Sequence, residues 1–271
     1  MNKVITKILQ LAGEYRARIL SCFKCKTACI RNRQEIKPQE ITSIVIEHAL
    51  TEDSLSDSLK ADLISEMEIE QIFQKHVIDG PSYYFTNILK NKNLEYELRY
   101  ELAHAMNVSI NDVIIVGSAK LGYSVKSEKF RKFDYKFRGS KRPKDKSDID
   151  IAIINSRFYM RSIEEIYHLS RHFNEGWIRE NWSTNVFYRQ PNDLHINYAL
   201  YVSRGWIRPD FLPNVYFDQA AWRPVFDAWY SKLSRRKLSL GIYSDWIYLK
   251  HYHMDNLSRL RDKMKKLEVV E

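Results

Sequence analysis

Residues 112–124, DVIIVGSAKLGYS, and residues 147–154, SDIDIAII, decide how this sequence is expected to fold. Each stretch contains a short run of aliphatic and β-branched residues, which is typical of a buried strand. The first run ends in a Gly-Ser pair, and the second begins with two aspartates separated by one residue. We therefore predict two neighbouring buried strands, with polar groups at the end of one strand and at the start of the other.

The sequence on either side of these strands indicates helices. Apolar residues recur at helical spacing in residues 1–107, and residues 201–271 end in a polar, amphipathic stretch. We predict an α/β (α+β) protein in which residues 108–200 form a mixed-sheet core between helical N- and C-terminal regions. The chain has 271 residues, of which 44% are hydrophobic, and this apolar content excludes a chain that is disordered throughout.

The sequence contains no apolar run that approaches the roughly 20 residues of a membrane-spanning helix. Lys7 and Glu14 interrupt the N-terminal apolar pattern before a secretory core can form. We interpret the chain as a cytoplasmic protein with no membrane partner. Cys22, Cys25 and Cys29 complete no standard zinc spacing, so free thiols are the preferred interpretation and metal binding there stays open.

Positive charge is concentrated between the two predicted strands. The net charge of the chain is +9, and residues 126–146 alone contain ten basic and three acidic side chains. Such a basic segment attracts phosphates, nucleic acid or an acidic protein. The same composition is also common in a solvated loop, and the charge alone does not separate these alternatives.

The aspartates at the start of the second strand form the first candidate site. Alternate residues of a strand point to the same side, so Asp148 and Asp150 project together, about 7 Å apart along the strand. Two converging carboxylates repel each other, and a divalent cation relieves that repulsion. Hard oxygen ligands suit Mg²⁺, or Mn²⁺, in such a position.

The Gly-Ser pair forms the second candidate site. Gly117 allows the backbone to approach a ligand closely, and the backbone N–H groups and the Ser118 hydroxyl can bind a phosphate. A phosphate site beside a pair of metal-binding carboxylates is the equipment that nucleotidyl transfer needs. These residue types in this order therefore point to a nucleoside triphosphate as substrate.

The ordered combination resembles the DNA-polymerase-β-type nucleotidyltransferase superfamily. The resemblance is carried by IIVGSAKLGYS, residues 114–124, and SDIDIAII, residues 147–154, and covers about residues 110–155. The fuller Gly-Ser-x-x-x-Gly form, with Gly122 in the last position, is similar to bacterial nucleotidyltransferases of antiviral defence. The resemblance implies a nucleotidyltransferase-like core within residues 108–200.

The resemblance also implies roles for individual residues. Gly117 and Ser118 would hold the β- and γ-phosphates, while Asp148 and Asp150 would bind two metal ions. A third carboxylate on a later strand would bind the catalytic metal and help to deprotonate the acceptor hydroxyl. The candidate for this role is Asp193, which follows a possible strand.

Two further residues of the Gly-Ser segment complete the candidate nucleotide-binding set. Gly122 belongs to the fuller motif, and Lys120 is a candidate phosphate contact that would otherwise point to solvent. The sequence departs from the family pattern in one spacing, because Ser118 and Asp148 are 30 residues apart instead of about a dozen. The excess is the basic segment, which we interpret as an insertion at the mouth of the site.

We therefore predict a metal-dependent transferase that moves a nucleoside monophosphate from an NTP to a hydroxyl of RNA, another nucleotide or a protein. The alternative is a catalytically silent relative that binds nucleotide or nucleic acid as a sensor or regulator. A third possibility is an interaction protein whose partner contacts the basic segment. For Arg204, Trp206 and Arg208, a buried tryptophan with arginines outside is preferred over a base- and phosphate-binding cluster.

Overall fold

The computed structural model of the protein describes residues 54–125, 130–182 and 194–268. These segments contain the following helices: α1 (Ser54–Ile64), α2 (Ile69–Ile72), α3 (Asn93–Met106), α4 (Gly117–Leu121), α5 (Tyr135–Ser140), α6 (Ser156–Leu169), α7 (Glu175–Asn181), α8 (Leu194–Ser203), α9 (Asn214–Gln219), α10 (Arg223–Lys232) and α11 (Trp246–Glu268). Wider π-helical turns continue α2 over Phe73–Asp79 and occur again at Tyr84–Ile88.

Six strands lie between these helices: β1 (Val113–Val116), β2 (Tyr123–Ser124), β3 (Arg131–Lys132), β4 (Ile149–Ile154), β5 (Trp206–Ile207) and β6 (Leu238–Tyr243). Four of them form one mixed sheet in the order β1-β4-β6-β5, in which only the β4–β6 pair is parallel. Strands β2 and β3 form a separate antiparallel hairpin. The described part of the protein is therefore a mostly helical α/β structure built on a four-stranded mixed sheet.

Strand β4 is covered on both faces, as its nearly continuous apolar sequence requires. Ile149, Ile151 and Ile153 contribute to a core shared with α3, α6 and α10, and we call this side the α3 face. Ala152 and Ile154 contribute to a second core shared with α1 and α11, and we call this side the α11 face. Since side chains alternate along a strand, Asp150 belongs to the α11 face.

A buried ion pair anchors the basic segment to the sheet. The Arg236 guanidinium donates to both carboxylate oxygens of Asp134, at 2.7 and 2.5 Å, and lies over the rings of Tyr84 and Phe133. The carboxylate of Asp134 also accepts a hydrogen bond from the backbone N–H of Ser147 at 2.9 Å. Burial would raise the pKa of Asp134, but the hydrogen bonds from Arg236 and Ser147 outweigh it and hold that pKa below its ordinary value.

The sequence predicted the two central strands and the helices before them. Strands β1 and β4 are buried antiparallel neighbours, and residues 54–106 are largely helical, as expected. The prediction of a sheet limited to residues 108–200 was wrong, because β5 and β6 join it from beyond residue 200. Strand β5 has only two residues, and β6 interrupts its apolar run with Ser239 and Gly241, so neither gives a strong strand signal. The described residues include no helix with the length and apolar content to cross a membrane.

The ion pair predicts how stability depends on Arg236. Arg236→Ala leaves the Asp134 carboxylate buried without its counter-charge, so we expect the free energy of unfolding to fall by about 3–5 kcal/mol at neutral pH. The neighbouring exposed Lys237→Ala should change it by less than about 0.5 kcal/mol. The pair keeps the folded-state pKa of Asp134 below the ordinary Asp pKa of about 3.9. Its contribution to the free energy of unfolding is therefore fully present above that ordinary pKa and is lost as the pH falls through the folded-state pKa. Urea denaturation measures both variants, and equal midpoints would contradict the assignment.

Candidate functional site

The backbone of Gly117 closely approaches the carboxylate of Asp150. Val116 is paired with Asp150 across β1 and β4, so the residue after Val116 lies beside that carboxylate. Gly117 has a φ of +68°, and a Cβ atom there would lie 2.4 Å from Oδ2 of Asp150. Only glycine avoids both the steric conflict and the strain of this left-handed conformation. The two motifs that the sequence placed 30 residues apart therefore meet in one site.

Asp148 directly precedes β4, Asp150 is the second residue of that strand, and both are half-buried. Asp150 is on the α11 face, where its register partners are Val116 on β1 and Ser239 on β6. Asp148 directly follows Ser147, whose backbone is held by the buried Asp134 carboxylate. The ion pair of the basic segment therefore fixes the chain just before the first aspartate.

The Gly-Ser turn and Asp150 line a small cavity between the sheet and α11. Its volume is about 50 Å³, and its lining includes Ser118 together with groups from the β2 strand and from α11. The remaining lining residues are Gly117, Ser124, Val125, Asp150, Tyr252, His253 and Asn256. Ser118, which the sequence assigned to phosphate binding, thus lies beside the aspartate that it was predicted to accompany.

Two larger cavities continue from this one along α11. One of about 170 Å³ shares Gly117, Asp150, Tyr252 and His253 with the first. The other, of about 710 Å³, shares Arg204, Trp206 and Tyr252 with the second. We call the three together the α11 cleft. The volume of the largest is within the range of roughly 300–1,000 Å³ that is usual for small-molecule sites.

Aromatic rings and arginines form one wall of the α11 cleft. Trp206 is half-buried and stacks on Tyr243 with a centroid separation of 5.2 Å and an interplanar angle of 2°. Arg208 lies over the Tyr201 ring and pairs with Asp210 at 2.9 Å, while Arg204 is exposed beside the cleft. Trp206 therefore has two roles. It packs against the α11-face core, as the sequence indicated, and it also lines the cleft.

The floor of the cleft contains a buried phenol. Burial raises the pKa of Tyr243, and the nearby Tyr252 and Asp150 raise it further because they disfavour a phenolate. Tyr243 therefore stays neutral at physiological pH. Beside it, Gly241 has no side chain, and a Cβ atom there would lie 3.5 Å from the Trp206 ring.

Lys120 corrects one sequence-based assignment. Instead of reaching a phosphate or solvent, its ammonium is buried and donates to the backbone carbonyls of Ile78 and Gly80. Burial lowers the pKa of Lys120, and the nearby Glu95 opposes that effect. Lys120 therefore joins α4 to the end of the π-helical turns, which is a structural role.

Gly122 also has a structural explanation. It ends α4 in the left-handed conformation, with φ of +76°, and its N–H donates to the carbonyl of Ser118 at 2.9 Å. A Cβ atom there would lie 2.8 Å from the ring of Tyr83. Helix termination and ring packing thus account for the glycine that the sequence assigned to nucleotide binding.

The third carboxylate has no counterpart among the residues described. Asp193, the possible strand before it, and the three cysteines lie outside the described segments. Within 54–125, 130–182 and 194–268, no cluster of three or more His, Cys, Asp or Glu side chains could hold a metal ion. On β6, the position paired with Asp150 is occupied by Ser239.

The contribution of α11 to the site was not predicted from the sequence. Tyr252, His253 and Asn256 line the cleft about 100 residues after Asp150 in the chain. An amphipathic helix pattern does not indicate which polar side chains face a distant strand, so these residues gave no recognisable signal. Their assignment required the register of β4 against β6 and the position of α11 on that face.

The contact between Gly117 and Asp150 can be tested by a double-mutant cycle. Gly117→Ala should lower the free energy of unfolding by at least about 2 kcal/mol, because the new methyl group meets the carboxylate and φ is positive. In an Asp150→Ala background that cost should fall by about 1 kcal/mol or more. Gly139→Ala, where a Cβ atom meets nothing within 4 Å, is the matched control and should not destabilise. Additive effects of Gly117→Ala and Asp150→Ala in urea denaturation would contradict the contact.

Comparisons of the chain with protein-family models, with curated proteins and with solved structures gave no match. The functional interpretation therefore depends on the geometry of the chain itself. Its two central features are the approach of Gly117 to Asp150 and the cleft that continues from them along α11.

Proposed function

We propose that the protein is a metal-dependent nucleotidyltransferase that moves a nucleoside monophosphate from an NTP to a hydroxyl group. The observation that carries this proposal is the meeting of Gly117, Ser118 and Asp150 in one cleft, since phosphate-binding and metal-binding groups must be adjacent for this chemistry. A nucleotidyltransferase-like fold is part of the same proposal. The antiviral-defence association follows only from the family resemblance and is not needed for the reaction.

The triphosphate would be held at the Gly-Ser turn. Gly117 carries no side chain that could block the approach of a phosphate, and Ser118, whose hydroxyl can donate a hydrogen bond, lines the innermost cavity. The aromatic wall at Trp206 offers a surface on which a base can stack, with Arg204 and Arg208 nearby for phosphate or ribose. These groups lie along one continuous cleft, as an extended nucleotide requires.

The aspartates suit Mg²⁺ or Mn²⁺, because carboxylates are hard oxygen ligands and Asp150 lies beside the proposed phosphate site. Asp148 and Asp150 would hold the ion. When bound, the ion would supply neutralising charge for the triphosphate and acidify the attacking hydroxyl. Asp193 is the proposed third ligand.

The reaction follows from the position of the triphosphate. The acceptor oxygen forms a bond to the α-phosphorus while the bond from that phosphorus to the bridging oxygen breaks. Pyrophosphate leaves with the bonding electron pair, and the acceptor proton passes to a carboxylate, for which Asp193 is the candidate. The chain's own task is to align the acceptor with the α-phosphorus and to exclude water, which would otherwise be the acceptor.

A second candidate function is nucleotide binding without turnover. The observation that favours it is Ser239, which occupies the β6 position paired with Asp150, where a third carboxylate would share the site. A protein of this kind would be a sensor or regulator that responds to nucleotide or nucleic acid. It requires the same cleft and the same Gly117, so only the chemistry separates the two functions.

The proposed reaction predicts pyrophosphate release that depends on the aspartate pair. We expect purified protein with Mg²⁺ or Mn²⁺ to release pyrophosphate from at least one of the four NTPs, with total RNA as acceptor. Asp148→Asn combined with Asp150→Asn should reduce release to background. Asp145→Asn is the matched control, because Asp145 lies on the same segment and its partners are Ser140 and Arg142. Release that persists in the double variant would refute the proposed site.

The same assay distinguishes transfer from silent binding. Asp193→Asn should retain NTP binding, measured by equilibrium dialysis, but lose pyrophosphate release if Asp193 is the third ligand. Binding without release in the unmodified protein, under every acceptor and metal condition, would favour the sensor. Absence of NTP binding would exclude nucleotidyl transfer and nucleotide sensing.

A further inference from the structure

Strand β3, helix α5 and the turn that follows α5 carry a cationic surface with an exposed aromatic ring. We define this surface, the α5 platform, by Arg131, Tyr135, Lys136, Arg138 and Lys144. It belongs to the basic segment, whose residues 130–146 contain eight basic and two acidic side chains. The arrangement of these residues is more informative than their net charge.

Both acidic residues in this stretch are neutralised by specific partners. Asp134 is buried against Arg236, and Asp145 accepts hydrogen bonds from Ser140 and Arg142 at 2.5 and 2.7 Å. Lys136, Arg138 and Lys144 are exposed and form no ion pair with another described residue. Their charges therefore face solvent and are available to a polyanion.

An exposed ring accompanies these charges. Tyr135 is 59% exposed, although it is the first residue of α5 and directly follows the buried Asp134. The Arg131 guanidinium lies 5.4 Å from the centroid of its ring. A ring next to a guanidinium is the combination on which bases of a single strand stack, and every base has a π-face that can use it.

The platform is connected to the cleft through the hairpin register. Arg131 on β3 is paired with Ser124 on β2, and Ser124 lines the innermost cavity together with Ser118 and Asp150. A single strand of nucleic acid that lies on Tyr135 and passes Arg131 would thus reach the lining of the site. The Asp134–Arg236 pair holds the base of the platform, so this position does not depend on a ligand.

We propose that the α5 platform binds single-stranded nucleic acid. The charge complements the phosphate backbone, and the ring favours an unpaired base over a duplex, whose bases are already stacked. The proposal names the acceptor class for the proposed transfer, and in that respect it rests on the proposed function. Binding of the single strand itself depends only on the contacts of the platform residues and does not require the transfer reaction.

Fluorescence anisotropy with a fluorescein-labelled 12-nucleotide RNA of random sequence tests the proposal, without NTP or metal. We expect Tyr135→Ala to weaken binding about 5- to 150-fold, which is the loss of affinity expected when one base loses its stacking partner. Tyr135→Phe keeps the ring and should retain the affinity. Tyr96→Ala is the matched control, because Tyr96 is also 59% exposed but lies on α3. Equal affinities for Tyr135→Ala and Tyr96→Ala would overturn the assignment of the ring.

The charge contribution is tested by the salt dependence of binding. Lys136→Gln and Arg138→Gln should each reduce the slope of log affinity against log salt concentration by about 0.7, as expected for one phosphate contact on a single strand. Lys92→Gln, on a different surface, should leave the slope unchanged. A 12-base-pair duplex or heparin that binds as tightly as the single strand would overturn the proposal in favour of a general polyanion surface. Binding of an acidic protein in place of the single strand would also overturn it.

The failures of the two proposals can be told apart. The protein with Asp148→Asn and Asp150→Asn should bind the single strand as the unmodified protein does, because neither aspartate belongs to the platform. Single-strand binding without pyrophosphate release would support the platform and contradict the transfer reaction. If the protein releases pyrophosphate and neither Tyr135→Ala nor Arg138→Gln reduces that release, the transfer reaction stands and the platform is not its acceptor site.

Discussion

The buried pair between Asp134 and Arg236 connects the starts of the two parallel strands of the sheet. Arg236 is two residues before β6, and Ser147, which binds the same carboxylate, is two residues before β4. A buried ion pair is costly unless its hydrogen bonds are satisfied, and here the carboxylate accepts from both Arg236 and Ser147. The charge on Asp134 therefore contributes to the registration of β4 beside β6, and registration determines which face presents Asp150.

The site depends on this registration and on one backbone conformation. Alternation along β4 places Asp150 on the face that α11 covers, while Ile149, Ile151 and Ile153 fill the opposite core. Gly117 then brings the end of β1 against that carboxylate. The polar groups of the cleft are thus provided by β1, β4, β6 and α11, and no single segment of the chain contains the site.

The sequence predicted the parts of this arrangement that local pattern determines. The β-branched runs gave β1 and β4, and their order placed Gly117 near Asp150. Lys120 turns inward and Gly122 ends α4, and the sequence did not indicate either role because α4 has only five residues and spacing over one turn does not separate a phosphate contact from a structural one. The two-residue β5 strand and the residues of α11 that line the cleft depend on long-range packing, which a single sequence does not encode in a readable pattern. Asp193 lies outside the described segments, so its assignment stays a prediction.

The hydrogen bonds between Asp134 and Ser147 close a loop at its neck. The N–H of each residue donates to the side chain of the other, at 3.0 and 2.9 Å, across a separation of 13 residues. Doubling the length of a flexible loop adds only about 0.6 kcal/mol of closure entropy. Residues 135–146 are therefore a module that evolution can lengthen, shorten or replace while Asp148 and strand β4 keep their positions. A change in the surface that this loop presents would require new residues within the loop and no change to the sheet.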